Sequence, residues 1–408
     1  MSGATRSYRL PVAAALVLSS CSLDVSNPDV IDVGTFDPTS DARTLSMSAQ
    51  QNFYEAYIDL INSTALYSGE VWTGAVRQQS NDIARRAIED TNIDLNATFW
   101  TPLQQVIATN DQVVDVLADA SDVDTDLNAA RSSMWSGFAL ELMGEIFCQG
   151  VIDVGPPLTP EATLDSAVVR FQRAIQIAGA AGGDEAAKIL NASRVGLARA
   201  FLQKGDDGAA ADAAELVDPA FTANAIYVDD PQSRGRTDNG VFTLSAGNTQ
   251  IVAGDYRDLN DPRVPYVDVG TNAQDGRNRL FRQEKYTSFS DPIRVASGLE
   301  ARYIMAEARL KQNEPADALA LIADRRTAAG QEPFEGAGPD AILAELMNQR
   351  SRDFWLEAKH LGDYLRNPSA TPFVPAEGEP FYKEEQGVFG PIGCLQVPFV
   401  EKANNPNF

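Results

Sequence analysis

The chain has 408 residues, room for one large domain or two intimate ones. Its 44% apolar content is that of a globular protein. Against 33 basic residues stand 57 acidic ones, a formal charge of −24, which argues against nucleic acid as a partner and against a polybasic membrane patch.

The chain opens with Arg6 and Arg9, then the apolar run Leu10–Leu18, then Ser19 and Ser20 before Cys21. A positive start, a short apolar core and small residues at the break read as a secretory signal over residues 1–20. The run is far shorter than the roughly 20 residues a membrane-spanning helix needs. Leu18-Ser19-Ser20-Cys21 resembles a bacterial lipobox, which implies cleavage before Cys21 and its lipidation; an ordinary cleaved signal with a chance cysteine is the alternative. Several acyl chains together make a lasting anchor. Residues 21–40, polar and holding Pro28 and Pro38, read as a tether. No other segment is apolar enough to span a bilayer. Besides Cys21 the chain has Cys148 and Cys394. In an oxidising compartment these two form a natural disulfide, with two separate buried thiols as the alternative.

From residue 41 helical patterns dominate. The spacing predicts helices over about 42–66, 97–117 and 127–148, the last capped by Asp126. Another follows Pro160, with Ala167, Phe171 and Ala174 on one face, and two more cover about 185–203 and 208–217. Residues 219–297 are rich in Gly, Asp, Asn and Pro, with β-like pieces such as Val241–Leu244, and read as a long loop-rich insertion. Helical pattern returns over about 298–312, 315–329 and 339–360. The tail after Pro368 is rich in Pro and Gly.

Two stretches repeat. "LARAFLQKGDDGAAADAAELV" from Leu197 aligns without gaps on "MAEARLKQNEPADALALIADR" from Met305, at an offset of 108 residues. Small residues allow two antiparallel helices to approach closely, and Gly205 or Asn313 at the turn tolerates a left-handed backbone. The spacing resembles the tetratricopeptide helix–turn–helix unit. Units are expected at about 136–178, 186–218 and 298–327. The fold class is therefore mainly α: a tetratricopeptide-like frame of helical hairpins with long irregular loop insertions and few short strands, in a single domain over 41–408.

Further strings follow in order: "DPR" (Asp261–Arg263), "KY" (Lys285-Tyr286), "GLEARYIMAEARL" (Gly298–Leu310), "QRSRDFWLEAKHLGDYLR" (Gln349–Arg366) and the terminus "PIGCLQVPFVEKANNPNF". With the lipobox, this ordered set resembles the SusD/RagB family of surface lipoproteins over nearly the whole chain. Gln349 and Ala358-Lys359-His360 depart from its pattern, and the chain is short for the family. Arg350, Asp353, Glu357, Asp363 and Arg366 lie on or just after one helix and read as structural ion pairs and capping groups.

Catalytic and metal motifs are weak. The one histidine, His360, sits at a predicted helix end and reads as solvated or capping. Neither H-E-x-x-H nor G-x-S-x-G occurs. "FEGAGPD" (Phe334–Asp340) lacks the third glycine of a dinucleotide loop. "DVDTDLN" (Asp122–Asn128) starts like a calcium loop, but Leu127 and Ser133 stand where it needs Gly and Glu. No catalytic residue, metal or cofactor is expected.

The resemblance implies a glycan- or nutrient-capturing lipoprotein of the outer membrane, lipid-anchored and facing the cell surface. Its implied partners are a SusC-like TonB-dependent barrel, an oligosaccharide or other small nutrient, and the membrane through the anchor. A neutral sugar needs flat aromatic faces for its C–H patches and planar polar groups for its hydroxyls. Trp72, flanked by Gly69 and Gly74, with Arg77, Asn81 and Asp82 close by, offers these, as do Tyr256 and Arg282 in the insertion. For Trp72 a core role stands as the alternative, and Trp135 and Trp355 read as core. A tetratricopeptide-type scaffold in the periplasm, binding only proteins, is the second functional reading.

Overall fold

The computed structural model describes Gly3 and residues 38–120 and 122–408. The leader, Cys21 and most of the tether lie outside the described residues. Residues 38–408 form one compact unit.

In chain order the elements are α1 (Pro38–Ser68), β1 (Val71–Thr73), α2 (Gln78–Ala84), α3 (Thr101–Leu117), α4 (Leu127–Ile146), α5 (Pro160–Ala181), α6 (Gly183–Lys204), α7 (Asp207–Glu215) and β2 (Thr222–Ala225). Then come α8 (Gly240–Ala246), β3 (Gln250–Val252), α9 (Gly254–Arg257), β4 (Tyr266–Asn272), β5 (Arg279–Gln283), β6 (Ile293–Ser297), α10 (Gly298–Lys311), α11 (Ala316–Ala328), α12 (Pro339–Asp353), α13 (His360–Arg366) and α14 (Phe399–Asn404). The chain is mainly α, as its periodicity implies. The strands form three separate antiparallel pairs, β1–β3, β2–β6 and β4–β5.

The long helices pack in a row: α1 on α3, α3 on α4, α4 on α5, α5 on α6, α6 on α7, α7 on α10, α10 on α11, and α11 on α12. Local chemistry sets their ends. Side chains of Asp126, Thr159, Asp206 and Ser297 accept from backbone N–H groups in the first turns of α4, α5, α7 and α10. Gly205 and Asn313, aligned in the repeat, both adopt left-handed backbone (φ 78° and 67°) and reverse the chain. Small residues bring the row together. A Cβ on Gly196 of α6 would lie 2.3 Å from the Phe171 ring of α5, and one on Gly137 of α4 would lie 2.9 Å from it. Phe171 is thus wedged between two helices that approach on glycine.

Two expectations need correction. Val241–Leu244 is helical, within α8, because Asn239 accepts from the Phe242 N–H and caps a turn that strand propensity disfavours. The pattern over 339–360 is two helices. It breaks after Asp353, where Leu356 and Ala358 have positive φ (57° and 53°), and resumes at His360. The break turns the Leu356 N–H onto the buried Glu70 carboxylate, 2.9 Å away.

That break organises a knot of buried charge in which the ordered motifs meet. Asp353 accepts from Arg325, Arg263 and the Tyr303 hydroxyl. Asp261 pairs with Arg263 and Arg352. Glu357 pairs with Lys285 (2.7 Å) and Arg294 (2.8 Å). Arg350 pairs with Asp363 (2.7 Å), and Arg366 with Glu307 (2.7 Å) and Asp363 (2.9 Å). Arg199 of α6 reaches Glu300 (2.8 Å) and Glu141 (3.1 Å). His360 is inside this region rather than solvated: it is buried, its Nδ1 lies 3.3 Å from Ser351 Oγ, and burial pushes its pKa down to about 4. Trp100, Trp135 and Trp355 are all buried. Cys148 and Cys394 form a disulfide across 246 residues, beside backbone hydrogen bonds of 2.9 and 2.7 Å from Cys148 to Leu395 and from Leu395 to Ile146. It fastens the tail to the end of α4.

Candidate ligand-binding surface

The loop-borne elements build a strip of aromatic side chains outside the helix row. In β1, Trp72 lies opposite Ile251 of β3. Before it the chain turns at Gly69 (φ +88°), where any Cβ would fall 2.6 Å from Pro375. Trp72 stacks on Tyr382 from the tail, with ring centres 4.5 Å apart and planes 10° off parallel. The Tyr382 hydroxyl donates to Thr73 O at 3.3 Å. Next door, Lys383 donates to Ala75 O (2.7 Å) and Asn81 Oδ1 (2.8 Å). These bonds clamp the tail loop against β1.

After β3 the short helix α9 carries Arg257 back over the same face. Its guanidinium carbon stands 5.2 Å from the Trp72 ring centre and 4.0 Å from that of Phe281 in β5. Phe281 meets Tyr266 of β4 edge-on, with centres 6.1 Å apart. The strip thus runs Tyr382, Trp72, Arg257, Phe281, Tyr266. Tyr266 is 38% exposed at its open end, and Trp72, Arg257, Phe281 and Tyr382 are half-buried. Polar pairs line the hairpin beside it: Asp268 with Arg279 at 2.7 Å, and Glu284 with Arg282 at 3.1 Å.

Arg257 is the unusual member. Among the described residues its side chain makes no hydrogen bond and has no acid within ion-pair distance, and its Nε is buried without an acceptor. Burial lowers its pKa from the usual guanidinium range, with the Asp258 and Asp268 charges opposing. An unsatisfied buried donor costs about 1–3 kcal/mol, more when charged. Arg257 is therefore a cation held against two aromatic rings and lacking an acceptor among the described residues.

The residues singled out from sequence scatter. Trp72 is in the strip, with one face covered by Tyr382. Arg282 is in β5 beside Phe281, paired with Glu284. Arg77 is exposed and paired with Asp94 at 2.6 Å. Asp82 is taken by Arg85 (2.8 Å) and Gln78 (2.8 Å). Two are corrected outright. Asn81 is buried, donating to Arg77 O (2.6 Å) and accepting from Lys383, so it holds the β1–α2 turn. Tyr256 is wholly buried against Trp355 and Phe373 and reaches no ligand surface. Arg257, Phe281, Tyr266 and Tyr382 escaped sequence reading. The local signal was adjacent: Arg257 follows Tyr256, and Phe281 precedes Arg282.

Asp122–Asn128 forms a 3-10 turn and a helix cap, the Asp126 carboxylate accepting from the Asn128 N–H at 2.7 Å. Among the described residues no cluster of His, Cys, Asp or Glu could hold a metal ion, and no helix is long and apolar enough to cross a membrane.

No family model matches the chain, and no curated protein matches it. Solved structures do. A SusD-like carbohydrate binding protein from Bacteroides vulgatus is 13% identical, with a TM-score of 0.71 over 91% of this chain and 98% of that one. A SusD superfamily protein from Parabacteroides distasonis is 14% identical, with a TM-score of 0.68 over the same shares. Surface glycan-binding protein A from Bacteroides thetaiotaomicron, solved in complex with laminarihexaose, is 13% identical, with a TM-score of 0.67 over 90% of this chain and 97% of that one. The fold is that of the SusD-like proteins, as the ordered motifs implied.

Proposed function

We propose that this chain is a member of the SusD/RagB family: a surface lipoprotein, anchored through Cys21, that binds an oligosaccharide and passes it to a SusC-like TonB-dependent transporter. The lipobox supports the anchor and the outer-membrane location. The fold shared with a laminarihexaose-bound protein supports the ligand class. The observation that carries the reading is Arg257, a guanidinium set among half-buried aromatic rings and without an acceptor among the described residues. A sugar matches that arrangement, because its hydroxyl oxygens accept from the guanidinium while its C–H faces lie on the rings. The role is binding, with no catalytic step.

Calorimetric titration of the mature protein with a panel of neutral oligosaccharides tests the ligand. At least one should bind, and Arg257→Ala should weaken it tenfold or more, given about 1.5–3 kcal/mol for a hydrogen bond to a charged group. No binding across the panel, or binding indifferent to Arg257→Ala, would remove this surface as the site. Extraction from native membranes in mild detergent tests the partner. A stoichiometric β-barrel should co-purify; soluble periplasmic proteins alone would favour a scaffold.

A further inference from the structure

A second cleft lies between the β2–β6 pair and the segment that follows β5. Its volume is about 440 Å³, enough for a sugar unit. Six residues give it polar character: Thr222, Asn224, Lys285, Asp291, Arg294 and Glu357. Two cations share one carboxylate there. Arg294 donates to Glu357 through Nε (2.8 Å) and Nη2 (2.9 Å), and to Asp353 O (2.6 Å). Lys285 donates to Glu357 Oε1 (2.7 Å) and Trp355 O (2.5 Å). The Glu357 side chain is 3% exposed, whereas Lys285 and Arg294 are 19% and 23% exposed. The carboxylate is thus sunk, and its two cations reach the cleft wall.

Donors remain. Among the described residues Arg294 Nη1, the Thr222 hydroxyl and the Asn224 amide make no hydrogen bond, and Lys285 has one N–H left over. Asn224 stands directly opposite Arg294 in the β2–β6 register, beside a bulge, so both side chains rise from one face of the pair and line the cleft. Asp291 is the other acid on the wall. Its oxygens already accept from Thr287 and Ser288, at 2.5 and 2.6 Å for the shortest of those bonds. What faces the cleft is therefore an excess of free N–H donors, the two cations being balanced by the sunken Glu357 and by Asp291, whose oxygens are already occupied, in a chain whose total is −24. The overall charge is screened beyond about 8 Å at physiological salt, so short-range contacts govern what enters.

We propose that this cleft binds a carboxylate, held by the open edge of Arg294, by Lys285 and by the Asn224 amide. The chemistry suits an acidic sugar unit such as a uronic acid; that identity rests on the glycan reading above, whereas the carboxylate site does not.

The mature full chain is titrated with glucuronate, glucose and acetate at low and high salt. Glucuronate is expected to bind, glucose not, and binding should weaken as salt rises. Acetate binding as tightly as glucuronate would support the carboxylate site while assigning it to small acids rather than sugars. Arg294→Ala risks misfolding, because it leaves Glu357 half-paired. Asn224→Asp is the decisive variant. It sets a carboxylate opposite Arg294 without touching the Arg294–Glu357 pair, and should weaken glucuronate by about fivefold to tenfold through charge repulsion alone, with thermal stability kept. Equal affinity for glucose and glucuronate, no binding of either acid at millimolar concentration, or indifference to Asn224→Asp would overturn the proposal. A neutral oligosaccharide that still depends on Arg257 in the Asn224→Asp variant would leave the glycan surface standing on its own.

Discussion

The charge knot and the aromatic strip use the same residue types in opposite ways. In the knot Arg199, Arg350 and Arg366 lie deep in the protein, and each has an acid partner supplied by a different part of the chain. In the strip Arg257 is half-buried and has aromatic neighbours but, among the described residues, no acid within ion-pair distance. Desolvating a cation is costly unless partners restore its interactions. Where the chain supplies the partner, the residue holds helices together. Where it does not, the partner is left to come from outside. The contrast separates the helix-holding charges from the proposed aromatic binding surface.

The largest effect should come from breaking the knot. Glu307 is buried and accepts from Arg366 (2.7 and 2.9 Å) and Asn367 (2.8 Å). Glu307→Ala leaves Arg366 with only part of its pairing, and should cost about 3–5 kcal/mol in urea denaturation. A loss below 1 kcal/mol would mean that the knot is not what holds α10 to α13. Next is the disulfide. Opening a 246-residue loop by Cys394→Ser should cost about 2–4 kcal/mol. The loss should appear as easier release of the tail, read by limited proteolysis after residue 368, and with it weaker oligosaccharide binding, since Tyr382 travels with the tail.

The pH response sharpens the comparison further, because three groups displaced into the range between pH 4 and 7, His360, Glu70 and Asp59, belong to the frame. Burial pushes His360 down to about 4. Between pH 6.5 and 4 the unfolded chain takes a proton that the native state refuses, so this group withdraws stability as pH falls through that window. Burial pushes Glu70 up to about 7, and Asp59, with Glu55 beside it, likewise. Each holds a proton in the native state that the unfolded chain releases above about pH 4.5, so each withdraws stability as pH rises from there to 7. The trends oppose, but two carboxyls outweigh one imidazole, so the native protein should lose stability on going from pH 5 to pH 7. His360→Asn removes one of them. Relative to wild type, the variant should gain on the order of 2 kcal/mol on going from pH 7 to pH 5. Parallel profiles would show that His360 is not held neutral.

How much of this was legible in the sequence follows the same division. Helical period, caps and the aligned Gly205 and Asn313 describe local events, and the helices were readable within a few residues. Four of the ordered strings that suggested the fold meet in one object: Asp261, Arg263, Lys285, Glu307, Asp353, Glu357 and Arg366 all enter the knot. The break at Leu356 was invisible because its cause, Glu70, lies 286 residues away. The strip was only half legible. Its members come from β1, α9, β4, β5 and the tail, and their meeting is set by tertiary packing. Choosing Tyr256 rather than Arg257 was an error of one residue. In extended or tightly turned backbone one residue exchanges the buried side for the open one.

The smallest effect on stability should accompany a clear effect on binding. Tyr266 is 38% exposed at the end of the strip, on a hairpin strand whose other residues are mostly exposed. Tyr266→Ala removes an edge contact with Phe281 and little buried area, so its cost should stay near 0.5 kcal/mol. If the strip is a sugar platform, the same change removes an open aromatic face, and affinity for the bound oligosaccharide should fall about fivefold to tenfold, the scale of one aromatic contact. Tyr303→Phe in the knot is the matching control. It deletes a buried hydroxyl that donates to Asp353 at 2.6 Å, and should lower stability by about 1–3 kcal/mol with affinity unchanged. Crossed results, with Tyr266→Ala unfolding the protein or Tyr303→Phe weakening the sugar, would show that frame and surface are coupled and that the unpaired Arg257 answers to packing rather than to a ligand.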